Sequence, residues 1–184
     1  RWRPRIWPKA GSNPVTMVYE QNAGSFSSDT TLSTLDSTGI SSTMWGDYDL
    51  DGDLDLFVCT YANWTREQDL AVKQVHARRK TYHGPRFYEG GQCLLYENNG
   101  DGTFTDISRQ AGMVIKDPEN GELLAKALGV VFVDLDRDGW LDIVVANDQT
   151  RSFLLRNNQD GTFTDAGLKT GFGWDSTGHI VGGM

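Results

Sequence analysis

Two stretches of this chain carry aspartates at the same four positions of a short loop, and that spacing restricts what can lie around them. In WGDYDLDGDLDLFV, running from Trp45 to Val58, Asp47, Asp49, Asp51 and Asp55 stand at positions 1, 3, 5 and 9, with Gly52 at the bend. In VVFVDLDRDGWLDIVVAN, Asp134, Asp136, Asp138 and Asp142 repeat the pattern around Gly139, at an offset of 87 residues that holds from Asp47/Asp134 to Val58/Val145. Alternate residues of a curled loop turn their carboxylates to one centre, and a hard cation such as calcium takes six to eight oxygens. The peptide oxygens at position 7, those of Asp53 and Trp140, are expected to complete the sets. Two Ca²⁺ sites follow: Asp47, Asp49, Asp51, Asp53 and Asp55 in one, and Asp134, Asp136, Asp138, Trp140 and Asp142 in the other. Four like charges this close repel without a cation, so the metal is read as structural.

An EF-hand opens with the same run of aspartates but needs a bidentate Glu at position 12 and helices on both sides. Position 12 here is Val58 in one copy and Val145 in the other. The flanks Leu54 to Thr60 and Leu141 to Asn147 are short runs rich in Leu, Ile, Val and Phe, so both loops join strands. A second repeat follows each loop: LLYENNGDGTFTD (Leu94 to Asp106) matches FLLRNNQDGTFTD (Phe153 to Asp165) at an offset of 59. Apolar residues enter, Asn-Asn and Asp-Gly supply a turn, and Thr-Phe-Thr leaves with period two, which reads as a β-hairpin. MVYEQNAGSF, from Met17 to Phe26, is a weaker third copy.

The difference between the two offsets measures an insertion of 28 residues between about Asn63 and Gln92. Its stretch Glu67 to Lys80 has helical spacing at Leu70, Val72 and Val75, which predicts a short helix before a Gly-Pro turn. Each full unit is therefore strand, calcium loop, strand and hairpin. The expected fold class is all-β, with propeller blades of four antiparallel strands carrying calcium-binding hairpin loops in an incomplete ring. The expected parts are an outer hairpin at 15–30, a blade at 41–107 with the insertion at about 63–92, a blade at 127–166, and the start of another at 178–184. Open strand edges invite pairing, so flanking blades or other subunits are expected to cover them.

Net charge is −8, but nine acids sit in the two loops, and two Ca²⁺ would bring it to −4. No basic face offsets this acidity, which disfavours nucleic acid as a partner. No run of 18 apolar residues exists, so no membrane span is expected. The start RWRPRIWPKAG lacks an initiator Met and an apolar signal core, which suggests a mature or excised segment. Carboxylate-rich loops of this kind fill where calcium is near millimolar, pointing to an extracellular, cell-surface or periplasmic setting. Cys59 and Cys93 could pair in such a compartment or remain two buried thiols.

DYDLDGDLDLFV, DLDRDGWLDIVVAND and NNGDGTFTD resemble FG-GAP/VCBS repeats, the calcium-bearing blades also seen in the integrin α-subunit head. The order of parts, with HGPRFYEG in the insertion, then LLYENNGDGTFTDIS and KALGVVFVDLDRDGWLDIVVANDQT, is similar to the ASPIC/UnbV (cartilage acidic protein-like) family of extracellular or exported propellers. Similar insertions often carry Cys before Gly-Pro-Arg, where this chain has His83. The resemblance implies metal ligation by the ten residues named above and no catalytic residues.

His76, His83 and His179 are the only histidines, and none has metal-ligand spacing to a second His or Cys. No G-x-S-x-G elbow occurs, and the Gly-rich runs lack the context of a phosphate loop. The leading expectation is a non-enzymatic, calcium-stabilised scaffold for protein or glycan binding and adhesion. The rivals are part of an exported polysaccharide-acting enzyme, and a structural subunit that assembles through open blade edges.

Overall fold

A computed structural model describes residues 18–22, 25–29, 39–63, 65, 67, 75–76, 79–80, 84–177 and 179. The chain divides into two units, Arg1–Thr38 and Gly39–Met184. In the first, β1 (Val18–Asn22) pairs antiparallel with β2 (Ser25–Asp29), Asn22 facing Ser25 at the turn. This is the hairpin expected from MVYEQNAGSF.

The second unit holds two four-stranded antiparallel sheets whose spatial order follows the chain. The first runs β3 (Ile40–Gly46), β4 (Asp55–Thr60), β7 (Leu94–Asn98) and β8 (Phe104–Asp106). The second runs β9 (Ala127–Val133), β10 (Asp142–Asn147), β11 (Phe153–Asn157) and β12 (Phe163–Asp165), ending in the short helix α1 (Gly167–Thr170). Each aspartate loop connects the first and second strands of its sheet, and each Asn-Asn turn connects the third and fourth. The fold is all-β, two propeller-like blades of an incomplete ring.

Burial explains why consecutive strands stay together. Phe57, Cys59 and Leu95 of the first sheet pack with Ile143, Val145, Phe153 and Leu155 of the second in one core. Alternation in β4 and β7 turns Leu56, Val58 and Tyr96 to the opposite face, and they are buried as well. By the two repeat offsets, the second-sheet counterparts of Phe57, Cys59 and Leu95 are Val144, Ala146 and Leu154, all only half-buried. The forward face of one sheet thus packs on the rear face of the next, and the forward face of the second sheet is left partly open. Hydrogen bonds tighten the joint: Ser41 Oγ donates to the Ala127 carbonyl (2.5 Å), Gly91 N–H to that of Ala125 (2.6 Å), and Phe163 N–H to that of Ala111 (2.9 Å).

The insertion differs from its expectation where it is described. Val75–His76 (β5) pair antiparallel with Arg79–Lys80 (β6), so the predicted helix does not extend over Val75 to Lys80. An apolar i, i+3 spacing over little more than one turn does not discriminate between helix and hairpin, and β-branched Val75 favours the extended form. Glu67 is helical, and 68–74 lie outside the described residues. The base of the insertion is closed by a bridge between Ala62 and Gly90 and by Asn63 N–H donating to the Glu89 carbonyl (3.0 Å). Cys59 and Cys93 stand opposite each other one step beyond the Val58/Leu94 pair, as two buried free thiols. The Cys93 thiol beside it and its own burial push Cys59 up, so Cys59 is not set up as a nucleophile.

Candidate metal centre

The two loops curl in the same way. Position 4 is left-handed in both, at Leu50 and Arg137 (φ 62° each), and the bend falls on Gly52 (φ 97°) and Gly139 (φ 90°), where a side chain would be strained. The first aspartate of each loop collects the N–H of its glycine: Gly52 donates to Asp47 Oδ2 (3.3 Å) and Gly139 to Asp134 Oδ2 (3.0 Å). Asp51 accepts from Asp53 N–H (2.8 Å) and Asp138 from Trp140 N–H (2.9 Å).

The structure gathers carboxylate oxygens of Asp47, Asp49 and Asp55 within 4.8 Å of one another, and likewise those of Asp134, Asp136 and Asp138. The carboxylates of Asp51 and Asp142, also expected at the centres, are outside these two groups, which are groups of side-chain oxygens and do not include the position 7 carbonyls expected from Asp53 and Trp140. Asp55 and Asp142 do something the spacing did not announce. Asp55 is buried and accepts N–H groups from Tyr48 (3.3 Å) and from Asn98 (2.9 Å); Asp142 accepts from Leu135 (3.2 Å) and Asn157 (2.9 Å). Position 9 therefore ties the loop to the first Asn of the outer hairpin. The Asn side chains complete the tie, Asn98 Nδ2 donating to the Leu54 carbonyl (3.1 Å) and Asn157 Nδ2 to that of Leu141 (3.1 Å). The repeated Asn-Asn, read only as a turn signal, was the available clue.

Tyr48 is the second residue that sequence reasoning passed over. It is buried, its ring lies 5.7 Å from that of Phe163, and its carbonyl accepts from Asn157 Nδ2 (2.9 Å), so the first loop is keyed into the second sheet. Its counterpart in the second loop, Leu135, is 47% exposed.

The donor set suits a hard cation. Asp47 Oδ1 is buried without a hydrogen-bond partner among the described residues, and with Asp49 and Asp55 beside it the first loop concentrates negative charge. Burial pushes Asp55 up to about 6, offset in part by the Asn98 and Tyr48 N–H groups, and burial likewise raises Asp49. A carboxylate raised from its ordinary 3.8 favours the fold fully below that value, and this contribution is lost as pH rises through about 6. Ionising Asp55 in the calcium-free fold thus costs stability at neutral pH, and a cation removes that cost. The expected result is a calcium-induced rise in Tm that is large at pH 7.5 and shrinks as pH falls through about 6, measured on calcium-stripped and calcium-loaded protein. A rise unchanged at pH 5 would count against Asp55 as a ligand.

A family model described as FG-GAP-like repeat matches residues 87–145 and again 134–182. Each match takes in the second aspartate loop, one with the hairpin before it and one with the hairpin after it. Cartilage acidic protein 1 of Xenopus tropicalis is 34% identical over 74 residues, 40% of this chain and 10% of that protein. Human cartilage acidic protein 1 is 41% identical over 59 residues, 32% of this chain and 8% of that protein. The chain spans about a tenth of the length of the curated relatives it matches. No helix among the described residues is long and apolar enough to cross a membrane.

Proposed function

Since the chain belongs to the FG-GAP-like repeat family, we propose that it is a calcium-stabilised, non-enzymatic segment of an extracellular repeat scaffold. The observation that carries this reading is the pair of strand-joining aspartate loops, with a buried, unpartnered Asp47 oxygen in the first. Asp47, Asp49, Asp51, Asp55 and the Asp53 carbonyl would hold one Ca²⁺. Asp134, Asp136, Asp138, Asp142 and the Trp140 carbonyl would hold the other. A bound ion neutralises carboxylates that otherwise repel, fixes the loop, and through Asp55 and Asp142 fixes the outer hairpin to the inner strands. The calcium therefore stiffens each blade across its width.

The half-buried row Val144, Ala146 and Leu154, with exposed Leu135 beyond it, is the surface on which a further repeat would stack, as the second sheet stacks on the first. A protein or glycan would then meet the loops of a rigid array of blades. Thermal unfolding tests the metal part. Each site filled at ten times its Kd adds about 1.4 kcal/mol, and two sites raise Tm by roughly 5–10 °C for a chain of this size. Equal midpoints in millimolar calcium and after stripping, or the same gain from magnesium, would remove the basis of the proposal.

A further inference from the structure

The two loops share a spacing but not their surroundings. The offset of 59 between the outer hairpins places Arg156 where the first sheet has Glu97, and Gln159 where it has Gly100. Arg156 Nη2 forms an ion pair with Asp136 Oδ2, and Gln159 Nε2 donates to Asp138 Oδ2 (2.9 Å). Asp134 is taken up by the N–H groups of Asp138 (3.1 Å) and Gly139 (3.0 Å). Every member of the second carboxylate group therefore already has a donor, two of them from side chains of the outer hairpin. Gln159 reaches its place with a left-handed backbone (φ 64°), whereas at Gly100 even a Cβ would come within 2.9 Å of Asp53 Oδ2.

The first group is held by backbone N–H groups alone, from Gly52 to Asp47, Asp51 to Asp49, and Tyr48 and Asn98 to Asp55, with no side-chain donor among the described residues. Asp47 Oδ1 is unpartnered, Asp49 accepts a single long bond from Asp51 N–H (3.3 Å), and among the described residues no cationic side chain pairs with Asp47, Asp49 or Asp55. Glu97, at the position that Arg156 holds in the second sheet, lines a cleft of about 450 Å³ with Tyr48 and Asp49 of the first loop, a cleft that Trp140 and Gln159 also border. A guanidinium close to a divalent ion opposes its entry, and a nearby carboxylate favours it.

We infer that Arg156 and Glu97 set the two calcium sites apart, the first loop filling at low calcium and the second only when calcium is high enough to compete with the Arg156 guanidinium. This rests on the calcium reading of the loops. It makes the first site a permanent structural one and the second a site that responds to changes in extracellular calcium. A unit charge a few ångströms from Ca²⁺ in a partly hydrated loop changes affinity by about ten-fold, and both members of the Arg156–Asp136 pair are accessible enough for salt to weaken the effect.

The test is calorimetric titration of CaCl₂ into the calcium-stripped full chain, comparing wild type with Asp136→Asn, Arg156→Gln and Glu97→Gln. Arg156 is exposed, so its substitution leaves the fold intact. Expected are two steps about ten-fold or more apart, with Asp136→Asn abolishing the weaker. Arg156→Gln should strengthen the weaker step about ten-fold and leave the tighter one in place; Glu97→Gln should weaken the tighter one alone. A single wild-type step of one ion per chain that becomes two ions per chain in Arg156→Gln supports the same conclusion, whereas a single wild-type step of two ions per chain counts as two equal sites. Two equal wild-type steps, constants indifferent to Arg156→Gln, or loss of the tighter step in Asp136→Asn would overturn the inference while leaving calcium binding standing. No binding in any variant would overturn the calcium reading itself.

Discussion

Phe57→Ala is expected to lower the unfolding free energy by about 3–5 kcal/mol, the range for truncating a fully buried aromatic. Phe57 is 0% exposed on the second strand of the first sheet and meets Phe132 of the second sheet edge-on, ring centroids 6.4 Å apart. Its loss opens a cavity at the joint between the sheets, where Leu95, Ile143 and Phe153 are held by packing on both sides. Denaturant unfolding measures the effect. Trp45→Ala, at a site 43% exposed, serves as the comparison and should cost far less. A Phe57→Ala loss below about 1 kcal/mol would show that the two sheets are not a shared core.

Asp55→Ala is expected to be as damaging by a different route. The substitution leaves the Tyr48 and Asn98 N–H groups without an acceptor at a buried position, each costing about 1–3 kcal/mol. It also removes one of the three carboxylates gathered in the first loop. With calcium withheld the stability lost should be about 2–5 kcal/mol at pH 5, where Asp55 is mostly uncharged, and smaller at neutral pH, where the substitution also removes the cost of ionising it; at neutral pH the loss should grow when calcium is present, because the wild type alone gains the ion. Measuring unfolding of both proteins with and without calcium separates the two parts. If the difference between them does not grow with calcium, Asp55 acts only as a hydrogen-bond acceptor.

The parts most legible in the sequence were those written twice. The offset of 87 aligned strand, loop and strand, and the offset of 59 aligned the outer hairpins, so two four-stranded sheets followed before any contact was known. What was not legible depended on partners far apart in the chain. Asp55 and Asn98 are 43 residues apart, and Tyr48 and Asn157 are 109 apart, so no local pattern announces their bonds. The insertion departs from the helix expected of it because Val75 fits a helical stripe and a two-residue strand equally well, and only its pairing with Lys80 decides. Within the loops, the spacing does not say which carboxylates gather together. Asp142 shares the position of Asp55, yet the second group closes on Asp138 instead, where Gln159 and the Trp140 N–H hold that side chain.

Despite that difference, both loops are proposed to bind calcium. Equilibrium dialysis of the stripped chain against radioactive calcium at 2 mM, with magnesium in excess, reads it directly. The proposed sites predict close to two calcium ions per chain, falling to one in Asp47→Asn and one in Asp134→Asn. A stoichiometry near zero, or full displacement by magnesium, would contradict it.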